Sequence, residues 1–208
     1  MNIIDQCWSF EEPIDGLEIL KKLERAGRTC YKSEDRITDD SAKRFVAGII
    51  KSGHHSVIEH HNVTVRIITD RGVTHELVRH RIMSFSQEST RYVNYEKKGI
   101  QFIKPVDFEL SDCDKLVLGT IGYHYNKLIE SGYTPQQARY FLPNGLKTEI
   151  VMTANLREWR HFFTLRAAKP AHPQMRALAG DMLLGFQKAI PVIFDDLKSY
   201  DHEKEIVK

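Results

Sequence analysis

A chain of 208 residues, 41% of them hydrophobic, is long enough to bury a real core as one domain, and its composition demands no disorder. Lys and Arg total 30 against 28 Asp and Glu, a formal net charge of +2, which excludes a chain that binds nucleic acid through overall charge. Any basic patch must be local, and a small anionic ligand suits such a balance better.

Asp15 is positioned to cap a helix whose Leu17, Leu20 and Leu23 stripe ends at Gly27, and Asp40 to open a second one carrying Phe45, Val46, Ile49 and Ile50 up to Gly53. Both read as packing elements. Asn62 to Asp70 alternates Val63, Val65 and Ile67 against Thr64, Arg66 and Ile68, which predicts a strand with Arg66 on the side facing solvent or ligand. Val73, Leu77 and Val78, with His75 and Glu76 between them, have helical spacing that ends near Arg79 and Arg81, and a loop is expected to follow. Tyr92 to Tyr95 and Ile100 to Ile103, separated by Glu96-Lys97-Lys98-Gly99, predict the two strands of a hairpin.

Asp112 to Ser131 carries Leu116, Ile121, Tyr125, Leu128 and Ile129 at helical spacing and is closed by Gly132. Thr134-Pro135 then starts a short helix holding Arg139. Thr148 to Thr153 reads as a short buried strand, Asn155 as the cap of a helix bearing Trp159, Phe162, Phe163 and Leu165, and a last helix runs from about Pro173 to Ala189. Strands and helices segregate instead of alternating, so the expected class is α+β, a mixed sheet with flanking helices in a single domain over residues 1–208. No Gly-x-Gly-x-x-Gly is present, which removes the usual dinucleotide fingerprint.

Cys7, Cys30 and Cys113 are scattered and odd in number, without a Cys-x-x-Cys pair, which argues against a disulfide framework or zinc ribbon. Met1 to Trp8 has no basic flank or long apolar core, and no run approaches the ~18 apolar residues of a membrane span, so a soluble cytoplasmic protein is expected. Cys30, with no His nearby to activate it, reads as a buried structural thiol. His54, His55, Glu59, His60 and His61 are metal-ligand types, but their spacing is not His-Glu-x-x-His and adjacent pairs point apart, so turn and core histidines are the plainer reading.

The densest chemistry lies in Arg79-His80-Arg81-Ile82-Met83-Ser84-Phe85-Ser86-Gln87-Glu88-Ser89-Thr90-Arg91, three guanidiniums and three serine hydroxyls with no Gly or Pro. Arg presents a planar fork of donors that matches phosphate, and Ser hydroxyls donate to phosphate oxygens or accept from backbone. Downstream, Arg157 and His161 are four apart on one helix face behind Asn155, where free backbone N–H groups favour anions, while Arg160 lies off that face and reads as solvated. Arg166 follows an apolar cluster and fits either a half-buried pocket wall or a structural ion pair.

The spacing of Arg79, His80, Arg81, Ser84, Ser86, Ser89 and Arg91 resembles the signature of the flavin-dependent thymidylate synthases, the ThyX family, with Ser86 and Gln87 as polar variants. Gly53 to His60 resembles the family's histidine-rich turn, and Asn155, Arg157, His161 and Arg166 its C-terminal ligand helix. The resemblance implies the family's fold and reaction: reductive methylation of dUMP to dTMP with methylenetetrahydrofolate, NADPH and FAD, without a cysteine nucleophile, in a homotetramer whose sites are shared among subunits. It implies flavin contacts from Ser56, with His54 beside it, and from Arg79, His80, Arg81, Gln87, Asn155, Arg157 and His161. It assigns the nucleotide to Glu76, Arg79, Gln87, Glu88, Ser89, Thr90, Arg91, Arg139 and Arg166, with Arg91, Arg139, Ser89 and backbone amides of Gln87 to Arg91 on the phosphate and Arg166 activating the uracil imide.

Two other classes compete on residue type. A single-strand nucleic-acid module would use the Arg-rich loop with Phe85, Tyr92 and Tyr95 as stacking platforms, although the near-neutral charge argues against it. A histidine-based metal hydrolase would bind stoichiometric zinc and show no flavin spectrum.

Overall fold

The computed structural model describes residues 2–199; the remaining positions of the expected 1–208 domain lie outside the described residues. The strands are β1 (Asn2–Ile4), β2 (Cys7–Phe10), β3 (Asn62–Asp70), β4 (Ser84–Gln87), β5 (Gln101–Ile103) and β6 (Lys147–Asn155). The helices are α1 (Gly16–Thr29), α2 (Ser41–Lys51), α3 (Arg71–Leu77), α4 (Tyr95–Lys98), α5 (Asp112–Glu130), α6 (Pro135–Ala138), α7 (Leu156–Arg166) and α8 (Pro173–Ala189). A 3-10 turn covers His55–His60 and another Arg139–Phe141. The large sheet has strand order β2-β3-β6-β4, and β1 pairs parallel with β5. The α+β expectation stands. Among the described residues no helix is long and apolar enough to cross a membrane.

Two compact units interleave along the chain. The first holds the stretch up to Ser9, Arg66–Arg79 and Phe85–Val151; the second holds Phe10–Val65, His80–Ser84 and the stretch from Met152 onward. The core of the first is Tyr95, Phe102, Tyr125, Ala138 and Leu146, with Leu118, Leu128 and Ile129 of α5 packed against it. A reciprocal capping box of Ser111 and Asp114 starts α5 and satisfies its first backbone donors. The core of the second is aromatic: Trp159 and Phe163 of α7 meet Phe186 of α8, Phe162 stands edge-on to Trp159, and Trp159 donates its indole N–H to the Val63 carbonyl at 3.1 Å. That bond leaves no polar atom of the buried indole unsatisfied.

Where the elements match the sequence, local chemistry explains them. Asp15 accepts from the Glu18 amide and Asn155 from the Glu158 amide, each satisfying an orphan donor of its helix. β3 buries every second residue as its alternation requires.

Several expectations are corrected. Gly27 does not stop α1, which continues to Thr29; a Cβ there would meet Phe45 Cε1 at 2.7 Å, so the glycine lets α1 and α2 approach closely. Leu17 of the predicted stripe is 51% exposed. Asp40 makes no side-chain cap to α2; its carboxylate accepts from the Thr38 hydroxyl. The segment after Arg81 is not all loop, since Ser84–Gln87 forms β4. No hairpin forms across residues 96–99: Asn94 caps α4 through the Glu96 amide, Tyr95 is buried in the core, and β5 pairs with the N-terminal β1. β6 is longer than predicted and buried on alternate residues only. Cys30 is exposed, as are Cys7 and Cys113. Arg160 is 8% exposed, because both its terminal nitrogens grip Asp196 and one also meets the Ile193 carbonyl. That bidentate pair compensates the buried guanidinium.

Candidate active site

The nucleotide-side candidates Glu76, Arg79, Gln87, Glu88, Ser89, Thr90, Arg91 and Arg139 all fall in the first unit. β4 sits at the edge of its sheet and delivers Gln87 at its end, where the side-chain amide donates to Thr74 Oγ1 at 2.9 Å and to Thr148 Oγ1 at 3.3 Å. The Glu88 amide donates to the Glu149 carbonyl at 2.8 Å, so this one of the five expected phosphate-facing amides already has a partner. Its carboxylate accepts from the Tyr95 hydroxyl at 2.7 Å and from Lys147 Nζ at 3.0 Å. Burial first, then the bond to Glu88, pushes the Tyr95 phenol up, so this hydroxyl stays protonated and donating.

Beyond Glu88 the chain turns. Ser89 Oγ accepts from the Arg91 amide at 3.3 Å, buried Thr90 accepts from Arg139 at 3.1 Å, and Arg91 Nε donates to Gln136 of α6 at 2.9 Å. Ser89, Thr90, Arg91 and Arg139 therefore converge, because the Thr134 and Gln137 capping box sets α6 where its end can present Arg139. Glu76 lies in the last turn of α3, and exposed Arg79 follows that helix, its amide donating to the Glu76 carbonyl at 3.2 Å. A cavity of about 570 Å³ lies beside Gln87 and Glu88, lined also by Arg66, Tyr95, Lys147 and Glu149. Arg66 and Lys147 both pair with Glu149, and Lys147 also with Glu88. The sequence reading passed over Lys147 and Glu149, although their i, i+2 spacing on a strand puts them on one face.

The remaining candidates Ser56, His80, Arg81, Asn155, Arg157, His161 and Arg166 all fall in the second unit. The turn His55–His60 packs on α7, with exposed Ser56 on it and Arg157 bonded to Glu59 at 2.6 Å. Asn155 serves as the cap of α7, and Arg81 and His161 are exposed. His80 is 6% exposed, edge-on to Phe162 at 5.1 Å and 5.9 Å from the His161 ring. Its Nε2 accepts from Arg166 Nε at 3.0 Å, and its Nδ1 lies 3.5 Å from Glu158. Burial, then the Arg166 and His161 charges, pushes the His80 imidazole down to about 4, and burial pushes the Glu158 carboxyl up. Arg166 is half-buried and bonded to a histidine.

Among the described residues, the histidines of His54 to His61 gather no set of three ligand-type groups; His80, Glu158 and His161 do, within 4.8 Å, beside the permanent cation Arg166. Glu158 was missed from sequence. Its place at i+3 from a helix cap with an aromatic run behind it gave no sign of a partner so far back along the chain.

The family model described as thymidylate synthase complementing protein matches residues 17–192. The chain is 35% identical over 182 residues to a flavin-dependent thymidylate synthase of Geobacter sulfurreducens, covering 82% of this chain and 78% of that one. It is 36% identical over 180 residues to the enzyme of the same description from Sulfolobus acidocaldarius, covering 85% and 69%. The fold is similar to thymidylate synthase X of Helicobacter pylori, solved with FAD and dUMP (TM-score 0.75, 22% identity, 91% and 99% covered), and to a UMP/dUMP methylase of Streptomyces cacaoi bound with 5-Br dUMP (TM-score 0.74, 24% identity, 94% and 96% covered). On the family match and on relatives more than 30% identical along most of its length, this chain belongs to the flavin-dependent thymidylate synthases.

Proposed function

We propose that the chain, acting as one catalytic domain, converts dUMP to dTMP by reductive methylation, with methylenetetrahydrofolate as carbon donor, NADPH as reductant, FAD as hydride carrier and no cysteine nucleophile. The observation that carries this reading is the hydrogen-bonded grouping of Ser89, Thr90, Arg91 and Arg139 just past the end of β4, which brings two arginines and two hydroxyls onto neighbouring segments. Arg91 and Arg139 hold the nucleotide phosphate, and Glu76, Arg79, Gln87, Glu88 and Thr90 complete the nucleotide side. Arg166 is the residue this reading assigns to the uracil imide, since a permanent cation favours the deprotonated ring and makes it more electron-rich.

The donor set fits FAD: exposed Arg79, Arg81 and Arg157 offer cations to a pyrophosphate, Ser56 offers a hydroxyl and His161 a ring nitrogen, and His80, Gln87 and Asn155 are the further candidates. When bound, FAD supplies the redox chemistry, which no side chain here provides. The protein binds, orients and polarises the nucleotide. Ser89 positions the substrate; its Oγ accepts from the Arg91 amide, and among the described residues no His or carboxylate bonds to it as a base.

The working form is a cytoplasmic homotetramer. Helix α5 buries only Tyr125 fully, while Leu116 (70% exposed) and Tyr123 (64% exposed), seven residues apart on one face, lie open and suit a second copy of the chain. The test is dTMP formation by purified protein supplied with FAD, dUMP, methylenetetrahydrofolate and NADPH. A yellow protein forming dTMP is expected; a colourless one that forms none and binds single strands with steep salt dependence overturns the reading.

A further inference from the structure

An arginine Nε–H donates and cannot accept. His80 Nε2, 3.0 Å from Arg166 Nε, is therefore the lone-pair nitrogen of a neutral ring, and the ring proton sits on Nδ1. Nδ1 lies 3.5 Å from the Glu158 carboxylate, within ion-pair range and longer than a hydrogen bond, and both side chains are buried. The opposite tautomer would set two N–H groups against each other at Nε2, and the charged ring would do the same beside a permanent cation. Among the described residues, Glu158, His161 and Arg166, all from α7, are the ionisable groups that face the ring, and Phe162 covers it edge-on. The structure therefore lines up a buried carboxylate, one histidine tautomer and the Nε edge of the arginine, with a hydrogen bond between the last two.

We propose that Glu158 and His80 are positioning residues that fix the plane of the Arg166 guanidinium toward the pyrimidine, with His80 acting on Arg166 instead of making the flavin contact expected of it. This rests on the role given to Arg166 above. Fixing Nε fixes the orientation of the whole planar fork, because the guanidinium has no internal rotation to relax. Catalysis that depends on a cation at one edge of a base is sensitive to displacements of the order of 1 Å. A histidine that served only flavin would gain nothing from a carboxylate behind it and an arginine in front.

The experiment compares His80→Leu, His80→Gln, Glu158→Gln and Arg166→Ala, with both His80→Leu and Glu158→Gln also combined with Arg166→Ala. For each FAD-loaded enzyme, kcat, KM for dUMP and flavin per subunit are measured. His80→Leu removes the acceptor and should lower kcat by about 10- to 100-fold, the size of one charge-assisted hydrogen bond, with flavin content and KM within about twofold. His80→Gln carries a carbonyl near the Nε2 position and should recover most of the loss. Added to Arg166→Ala, His80→Leu should have no further effect, because the arginine it orients is gone.

Additive losses, or flavin loss in step with turnover, overturn the proposal and make His80 a packing or flavin residue. If His80→Leu does not fold, Glu158→Gln decides alone: its amide can donate to Nδ1 and admit the wrong tautomer, so a kcat loss that vanishes beside Arg166→Ala supports the chain and an additive one sinks it. If Arg166→Ala itself retains full turnover with flavin bound, the activating role of Arg166 falls and the positioning chain with it. An impaired Arg166→Ala with additive partners removes only the chain.

Discussion

A buried imidazole held well below its ordinary range makes folding pH-dependent in a known direction. In the unfolded chain His80 titrates near 6.5, whereas burial and Arg166 hold it near 4 in the folded protein. Between those values the unfolded state binds a proton that the folded state refuses, so stability is lost as pH falls through this window, at up to ~1.4 kcal/mol per pH unit for one such group. Thermal unfolding of wild type and His80→Leu from pH 7 to 4 should show a steeper fall for wild type; parallel curves would mean the ring is not held neutral. Two further predictions concern the nucleotide side. Arg91→Ala should weaken dUMP binding by ~1.5–3 kcal/mol, the size of a charge-assisted bond, and unchanged affinity by calorimetry would remove Arg91 from the phosphate. Ser89→Ala should keep measurable turnover, since the hydroxyl accepts from a backbone amide and no base among the described residues bonds to it; complete loss with folding and dUMP binding intact would contradict a positioning role. The residue types of the site were legible in the sequence because Arg, Ser and His carry their chemistry in themselves. The bond from Arg166 to His80, 86 positions away, was not, since nothing in either segment names its partner.

At the scale of elements, glycines separate close packing from mere permissiveness. Gly27 of α1 lies against Phe45 of α2, where a methyl would meet ring carbons at 2.7 and 2.9 Å, and Val57 at 3.2 Å. Gly27→Ala should destabilise by ~1–3 kcal/mol, as overpacked sites do. Gly119 in α5 has nothing within 4 Å of an added Cβ, so Gly119→Ala should stabilise by ~0.5–1 kcal/mol through helix propensity alone. Thermal unfolding that ranked the two variants the other way would mean that contacts between α1 and α2 are looser than described. The same contrast explains which elements could be read in advance. β3, α8 and the caps at Asp15 and Asn155 follow from periodicity and local hydrogen bonding, both contained within a few residues. The false hairpin at 92–103 failed because β5 takes a partner from the N-terminus and Tyr95 takes a place in the core, and such tertiary contacts override strand propensity. Arg160 was misread for the same reason: its partners Ile193 and Asp196 come from beyond α8.

At the scale of the whole molecule, the surface of α5 decides whether a single chain is the working form. Leu128 and Ile129 of this helix pack on the core of the first unit, yet Leu116, Val117 and Tyr123 are open. An apolar stripe of this size on a helix that already has a buried face needs either water or another chain, and association removes it from water at ~25 cal/mol per Å². Leu116→Glu combined with Tyr123→Lys should therefore reduce the assembly to smaller species in light scattering, while the monomer's helix content by circular dichroism is unchanged. If assembly contributes to the active site, dTMP formation and flavin content should fall with the mass, and both should recover with protein concentration by mass action. A wild-type chain that is monomeric at working concentration, or a variant that stays tetrameric, would remove α5 from the interface. Removing flavin before gel filtration separates the remaining alternatives: a tetramer that survives is held by protein surfaces such as α5, whereas one that dissociates is held in part by the cofactor itself.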